Sequence, residues 1–407
     1  LSSSLYASSE MVIVFATFKH MFKCVLALSL SSLPGTFRPF TPVSALGGRV
    51  AYSFLKFVKY MVWAMERGEQ RTVYINELSV TELRGRRVLD YDSSRPPVLR
   101  PGKINVVTGC NGSFKTTFLE ALTVGLYMSS RNTLNSRQII NISSTLRMDS
   151  LWFYFLARDG FELGINGYKV GTASDEELLK VAVPPLNPLV RPVGFKLAKG
   201  DRVVRVLRVD LQPTPSGINI SLVDSLLDRT VPLSDYSFVS FSTPNPLSHD
   251  FVTSFMSLVN FSKIKDVLKG VLGYELVGSK FDEFGRPTIV VSEGGRDVEI
   301  QFLGSGVASL ILLIMASSND VVIFDNVENH LHPQLMLKAI DLMRESGSQW
   351  FVSTQSAEFL NYLLSEGPED VVVYEFFKRD EILVRQIDGR RAKELIGELY
   401  EDLRGNC

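Results

Sequence analysis

The stretch "INVVTGCNGSFKTTFLEAL" (104–122) constrains this chain most. A short apolar run suits a buried parallel strand. A glycine-containing loop follows, and then a helix with apolar residues at Phe118, Leu119, Leu122 and Leu126. Strand, loop and helix in that order make a phosphate-binding loop and commit the chain to an α/β fold. Such a loop turns successive backbone N–H groups and a helix N-terminus toward an anion, while a lysine adds a full charge. Gly109, Asn111, Gly112, Ser113, Lys115, Thr116 and Thr117 fill those roles. Lys115 is placed to reach the β- and γ-phosphates and the Thr116 hydroxyl to ligate Mg²⁺. The strict G-x-x-x-x-G-K-[ST] pattern fails at Phe114, and a glycine turn opening an ordinary helix is the plain alternative. If position 114 needs a positive φ, a non-glycine there costs about 1–2 kcal/mol, or roughly 5- to 30-fold in affinity. Binding is then expected to survive, with rapid hydrolysis in doubt.

A second segment, "VVIFDNVENHLHP" (321–333), puts Asp325 at the end of a buried strand. Ligands bind at such strand ends in open α/β sheets, so Asp325 is a candidate for holding Mg²⁺ directly or through water. A lone strand-end Asp often only caps the next turn, but here a phosphate loop precedes it. Around it the order is α/β: "SGVASLILLIMAS" reads as a buried helix, "HPQLMLKAIDLMRES" as an amphipathic helix and "QWFVST" as a strand. "VVVYEFFKRDEILVRQI" reads as a hairpin with a charged turn at Lys378–Glu381, and "RAKELIGELYEDL" as a closing helix.

Between about 145 and 300 the pattern is mostly strand-like. "GFKLAKGDRVVRVLRVDLQP" interleaves Lys199, Arg202, Arg205 and Arg208 with apolar residues. One face of such a strand is basic, read first as the solvated face of an antiparallel sheet and second as a nucleic-acid or partner surface. The chain's formal net charge of -1 gives no global pull toward nucleic acid or anionic membrane. Its 407 residues, 45% hydrophobic and 21% charged, are those of a folded protein of one large or two ordinary domains. Three widely spaced cysteines, Cys24, Cys110 and Cys407, exclude two or more disulfides and match no metal-ligand spacing. A reducing cytoplasm is the expected compartment.

The first 60 residues read differently. "MFKCVLALSLSSL" mimics a signal peptide but lacks a clear cleavage site. The uncharged piece from Cys24 to Phe37 is shorter than the ~18 residues expected of a spanning helix. The expectation is an extension outside the folded core over 1–71, with Met61 or Met65 preceding the first strand in "RTVYINELSV".

Taken together, "GCNGSFKTTFLEAL", "FLGSGVASLILLIMA", "VVIFDNVENHLHPQ" and "FVSTQSAEFL" resemble, in order and spacing, the motifs of ABC-type ATPases. The resemblance is to the SMC/RecF-like AAA ATPases, in particular compact OLD-like, archaeal-type members, and it covers roughly residues 72–407. It implies a P-loop NTPase fold of ABC-ATPase type: a mixed central sheet with helices on both faces, plus an antiparallel β-rich middle region. It also implies ATP and Mg²⁺ as cofactors and a homodimer closed around ATP, with Ser305 and Gly306 of one subunit touching the γ-phosphate held by the other. Read alone, that "GSG" is a turn before a helix.

Three positions depart from the resembled pattern. Phe114 replaces glycine, Asn326 the glutamate that polarises water, and Gln355 a histidine. Asparagine cannot act as a general base, a role typically worth ~10²–10⁴ in rate. Glu328 is a substitute base if 326–328 is extended, because alternate residues of a strand share a side. The expected function is an ATPase that dimerises around Mg·ATP and hydrolyses it slowly. The alternative is a non-hydrolysing, ATP-dependent switch or scaffold with an unidentified protein partner or DNA. No transmembrane span is expected.

Overall fold

The computed structural model describes residues 73–405 apart from 132–144, 148–150, 182–190, 215–216, 243–251, 253–254, 259–260, 282–284 and 286. The expected extension over 1–71 lies outside the described residues. Everything below concerns the unit Arg71–Cys407.

Five strands form the parallel part of the main sheet: β4 (Ile104–Gly109), β10 (Phe238–Ser242), β14 (Val321–Asp325), β15 (Gln349–Ser353) and β16 (Val371–Lys378). Their spatial order is β10-β14-β15-β4-β16, each pair parallel. The first four are buried at every position, as expected where a parallel sheet is covered on both faces. β15 lies between the strand carrying the glycine loop and the strand ending in Asp325.

Connections set the layers. The path leaves β4 through α1 (Lys115–Ser129) toward β10 on one side. It returns through α5 (Ser305–Ala316), α6 (Pro333–Glu345) and α7 (Ala357–Glu366) in the opposite direction across the sheet. Right-handed crossovers then place α1 on one face and α5, α6 and α7 on the other. Accordingly α6 packs against both α5 and α7.

The sheet continues past β16 as expected, with one refinement. β16 and β17 (Ile382–Asp388) form the antiparallel hairpin. β17 pairs in parallel with β2 (Arg86–Asp90), which pairs antiparallel with β1 (Leu78–Leu83). From β1 an antiparallel meander runs through β5 (Phe161–Ile165), β6 (Tyr168–Thr172), β7 (Val193–Lys199), β8 (Arg202–Thr214) and β9 (Gly217–Leu226). The β-rich middle is therefore continuous with the main sheet by hydrogen bonding. A separate sheet of β11 (Glu275–Phe281), β12 (Pro287–Glu293) and β13 (Arg296–Glu299) follows it. Helix α1 packs against β4, β14 and β15 and also against β1, β5, β6 and β7. Its near-complete burial follows from being covered on both sides, which a single apolar stripe would not produce.

Two expectations are corrected here. Of the four basic residues around β8, Arg205 and Arg208 are buried, at 0% and 2% exposure. Arg205 pairs with Asp224 of β9 and donates to the carbonyls of Tyr127 and Met128 at the C-terminal end of α1. Arg208 pairs with Asp210. The Arg205 side chain faces the layer containing α1, and Arg208 is buried on the other face of the strand, so two of the four basic residues are interior. Burial is tolerable because each guanidinium meets a carboxylate, and Arg205 also meets helix-terminal acceptors. The second correction is the closing helix. Helix α8 (Gly389–Gly397) stops before "ELYEDL", where Tyr400 has φ 54° and Glu401 pairs with Arg385 of β17.

Candidate nucleotide site

The glycine loop joins β4 to α1 with two left-handed glycines and one left-handed phenylalanine: Gly109 at φ 136°, Gly112 at 75° and Phe114 at 73°. Glycine is required at 109 on a second count, since a Cβ there would lie 2.3 Å from the Phe376 carbonyl oxygen. Position 114 thus has the backbone that glycine normally supplies, and the phenylalanine holds it without one. Its ring packs partly on the core, 5.8 Å from the Arg86 guanidinium. Cys110, within the loop, is disulfide-bonded, and its sulfur lies 3.4 Å from the Gly405 carbonyl oxygen.

Lys115 opens α1 and folds back over the loop, donating to the carbonyls of Gly109 at 2.6 Å and Cys110 at 2.9 Å. Burial holds its ammonium below the ordinary lysine range, against the Asp325 and Glu328 carboxylates that pull it up. The Thr116 hydroxyl donates to Asp325 Oδ2 at 2.9 Å, and the Ser353 hydroxyl donates to Oδ1. The ends of β14 and β15 and the first turn of α1 therefore meet at one carboxylate. Ser113 Oγ is buried with no partner. An anion above the loop would supply the acceptor it lacks.

A cleft of about 730 Å³ opens over this loop. Phe114, Asn326 and Gln355 all line it, so the three departures from the resembled pattern face one cleft. The segment after β14 is a run of turns and is not extended: Asn326 sits at φ 57° and its carbonyl accepts from Asn329 N. The side-alternation argument for Glu328 fails for that reason. The turn nonetheless brings Glu328 beside Gln355, whose N donates to Oε1 at 2.8 Å; Oε2 is buried without a partner, and Glu328 itself lies outside the cleft's lining. Ser305 and Gly306 begin α5 and lie outside this cleft's lining. Gly306 is packed so closely on the loop after β14 that a Cβ would stand 2.6 Å from the His330 carbonyl oxygen. The lining also includes Arg84, Arg147, Leu151, Trp152 and Phe155, none of which the sequence reading named. One signal was present: Glu120 is a charged residue set in the apolar run of α1.

The donors fit a small hard cation. A hydroxyl and a carboxylate oxygen 2.9 Å apart are the ligand types Mg²⁺ takes when phosphate and water oxygens complete its octahedron. Among the described residues no group of three or more His, Cys, Asp or Glu could hold a metal ion without such help. No described helix is long and apolar enough to cross a membrane.

No family model and no curated protein matches the chain. Among solved structures, the Smc head bound to the C-winged helix domain of ScpA matches with a TM-score of 0.40 at 13% identity, covering 78% of this chain and 99% of that one. A Pyrococcus furiosus Smc head domain bound to the C-terminal domain of ScpA matches at 0.39 and 13% identity, covering 80% and 99%. The SMC head domain from Thermotoga maritima matches at 0.37 and 11% identity, covering 77% and 98%. The fold is a mixed α/β sheet in which a glycine loop leads from the parallel strand β4 into α1, the arrangement of a P-loop.

Proposed function

We propose that the chain is a Mg·ATP-binding ATPase of ABC type that dimerises around nucleotide and turns it over slowly. The observation that carries this reading is the junction at Asp325. One carboxylate at the end of β14 accepts from Thr116 of the loop helix and from Ser353 of β15. Lys115 feels its charge, and in the same loop Ser113 Oγ is buried without a partner.

The residues divide the work. The loop amides and Lys115 bind the β- and γ-phosphates, the lysine exchanging its two carbonyl partners for phosphate oxygens. Thr116 and Asp325 hold the metal, which supplies charge neutralisation on the phosphates. Glu328 takes the place of the missing base at 326. Its Oε1 is fixed by Gln355 N, and Oε2 lacks a partner, leaving an acceptor for the proton of an attacking water. Asn326 and Gln355 contribute hydrogen bonds in the same cleft and no charge. Ser305 and Gly306 act on nucleotide held by a second copy.

Titration of Mg·ATP into the full chain, with multiple-turnover phosphate release, tests this reading. Lys115→Ala should abolish binding, because it removes the lysine aimed at the phosphates. Equal binding by parent and variant would refute the phosphate-loop assignment. A second reading, an ATP-dependent switch without turnover, is favoured by the presence of Phe114, Asn326 and Gln355 in the lining of one cleft. Binding without phosphate release, unaffected by Glu328→Gln, would select it. The burial of Arg205 and Arg208 leaves only Lys199 and Arg202 of that basic run exposed, which weakens the sequence-based argument for a DNA surface on β8.

A further inference from the structure

Apart from Lys115, Glu120 is the charged residue of α1, and its side chain is wholly buried. Its two oxygens are taken by arginines from two different segments. Oε1 accepts from Arg147 Nε at 2.7 Å and Oε2 from Arg84 Nη2 at 3.2 Å. Arg84 stands in the turn between β1 and β2 at φ 49°, and its Nη1 lies 3.5 Å from Asp159. Asp159 is shared with Arg158 at 2.8 Å. Three guanidiniums thus stand against two carboxylates. Arg84 Nε is buried with no partner. Both Arg84 and Arg147 line the cleft that contains the phosphate loop.

A carboxylate this buried is kept ionised by good pairing or not at all. Burial pushes the Glu120 carboxyl up while Arg147 and Arg84 pull it down. What the arrangement gains is placement: two long, flexible cations are fixed at the cleft wall, with N–H groups left for another acceptor. Beside them, Phe155 of α2 (Leu151–Asp159) lines the same cleft and carries the Arg158 guanidinium 4.8 Å over its ring. A ligand reaching from Lys115 to this wall has phosphates at one end. At the other it has oxygen or nitrogen acceptors and a flat ring able to lie on an aromatic face. A nucleoside triphosphate has that build.

Building on the ATP-binding reading above, we propose that Glu120 is a positioning residue that, through Arg84 and Arg147, sets the grip of this cleft on the nucleoside half of the nucleotide, with the base lying against Phe155. Calorimetric titration of the full chain with Mg·ATP and with Mg·tripolyphosphate tests it. The parent should bind ATP more tightly than tripolyphosphate. Glu120→Gln removes the charge and sets an amide N–H₂ against a guanidinium. It should weaken ATP by about 10-fold and tripolyphosphate by less than about 2-fold. Glu120→Asp, which keeps the charge, should restore part of the difference, a rescue that a purely structural role does not produce. Arg147→Ala, at a side chain 42% exposed, should reproduce the selective loss and serves if Glu120→Gln does not fold. Equal losses on both probes, or unchanged ATP affinity in these variants, would overturn the proposal. A parent that binds tripolyphosphate as tightly as ATP would overturn it while leaving the phosphate loop intact. A parent that binds neither would remove the ATP-binding reading and this inference with it.

Discussion

At position 114 the structure changes where a cost falls. A phenylalanine at φ 73° carries about 1–2 kcal/mol of left-handed strain. That backbone belongs to the folded loop, so the strain counts first against folding. Phe114→Gly relieves it but loses the ring's packing and adds unfolded-state entropy of about 0.4–1 kcal/mol. The variant should unfold in urea within about 1 kcal/mol of the parent and bind Mg·ATP within about threefold. A gain of ~10-fold or more in affinity would show that the ring itself obstructs the phosphates. Asn326 is the converse case. Asparagine is among the residues that tolerate a left-handed backbone best, and φ here is 57°. Asn326→Glu should therefore lower stability by about 1–2 kcal/mol while raising turnover at least ~10-fold, a change of about 1.4 kcal/mol in barrier. Melting and phosphate release on the same sample check both halves. Unchanged turnover in this variant and in Glu328→Gln, at a measurable parent rate, would refute the assigned hydrolysis geometry.

Among elements, α1 carries the most. Its N-terminus presents the loop, its middle holds Glu120, and its C-terminus is closed by Arg205, which reaches across from β8 to the Tyr127 and Met128 carbonyls. Arg205→Ala leaves Asp224 without its cation and the helix end without its cap. Breaking such a buried pair costs about 3–5 kcal/mol, so the urea midpoint should fall sharply. Arg202→Ala, on the same strand but 67% exposed, should leave the midpoint near that of the parent. Similar effects from the two variants would contradict the interior placement of Arg205. The sequence could not separate these arginines. Alternation along β8 tells which residues share a face, but which face is covered depends on α1, which lies far away in sequence.

For the molecule as a whole, the prediction is linkage. If Mg·ATP binds the folded chain alone, saturation at ~100 times Kd adds about 2.7 kcal/mol to stability and raises Tm; Lys115→Ala should abolish the shift. The dimer reading adds a second expectation. Sedimentation of the parent should shift to a dimer with Mg·ATP and not without it. Ser305→Arg, at the half-buried start of α5, should keep ATP binding and lose the dimer. A monomer under saturating Mg·ATP would refute assembly around nucleotide.

The strand, loop and helix around Lys115, the buried strand ending at Asp325 and the β16–β17 hairpin were legible because each is local. Residue type and period over ten or so positions determine them. Motif order made Thr116 and Asp325 candidates for the same Mg²⁺, and the fold sets their side-chain oxygens 2.9 Å apart. Tertiary structure decided the rest, because those features depend on which remote segments meet. It took a turn, not a strand, to bring Glu328 beside Gln355. It took α1 between two parts of one sheet to bury Arg205. And Arg84, Glu120 and Arg147 form one wall only because β1, α1 and the residues before α2 fold together, a juxtaposition that no period in the sequence records.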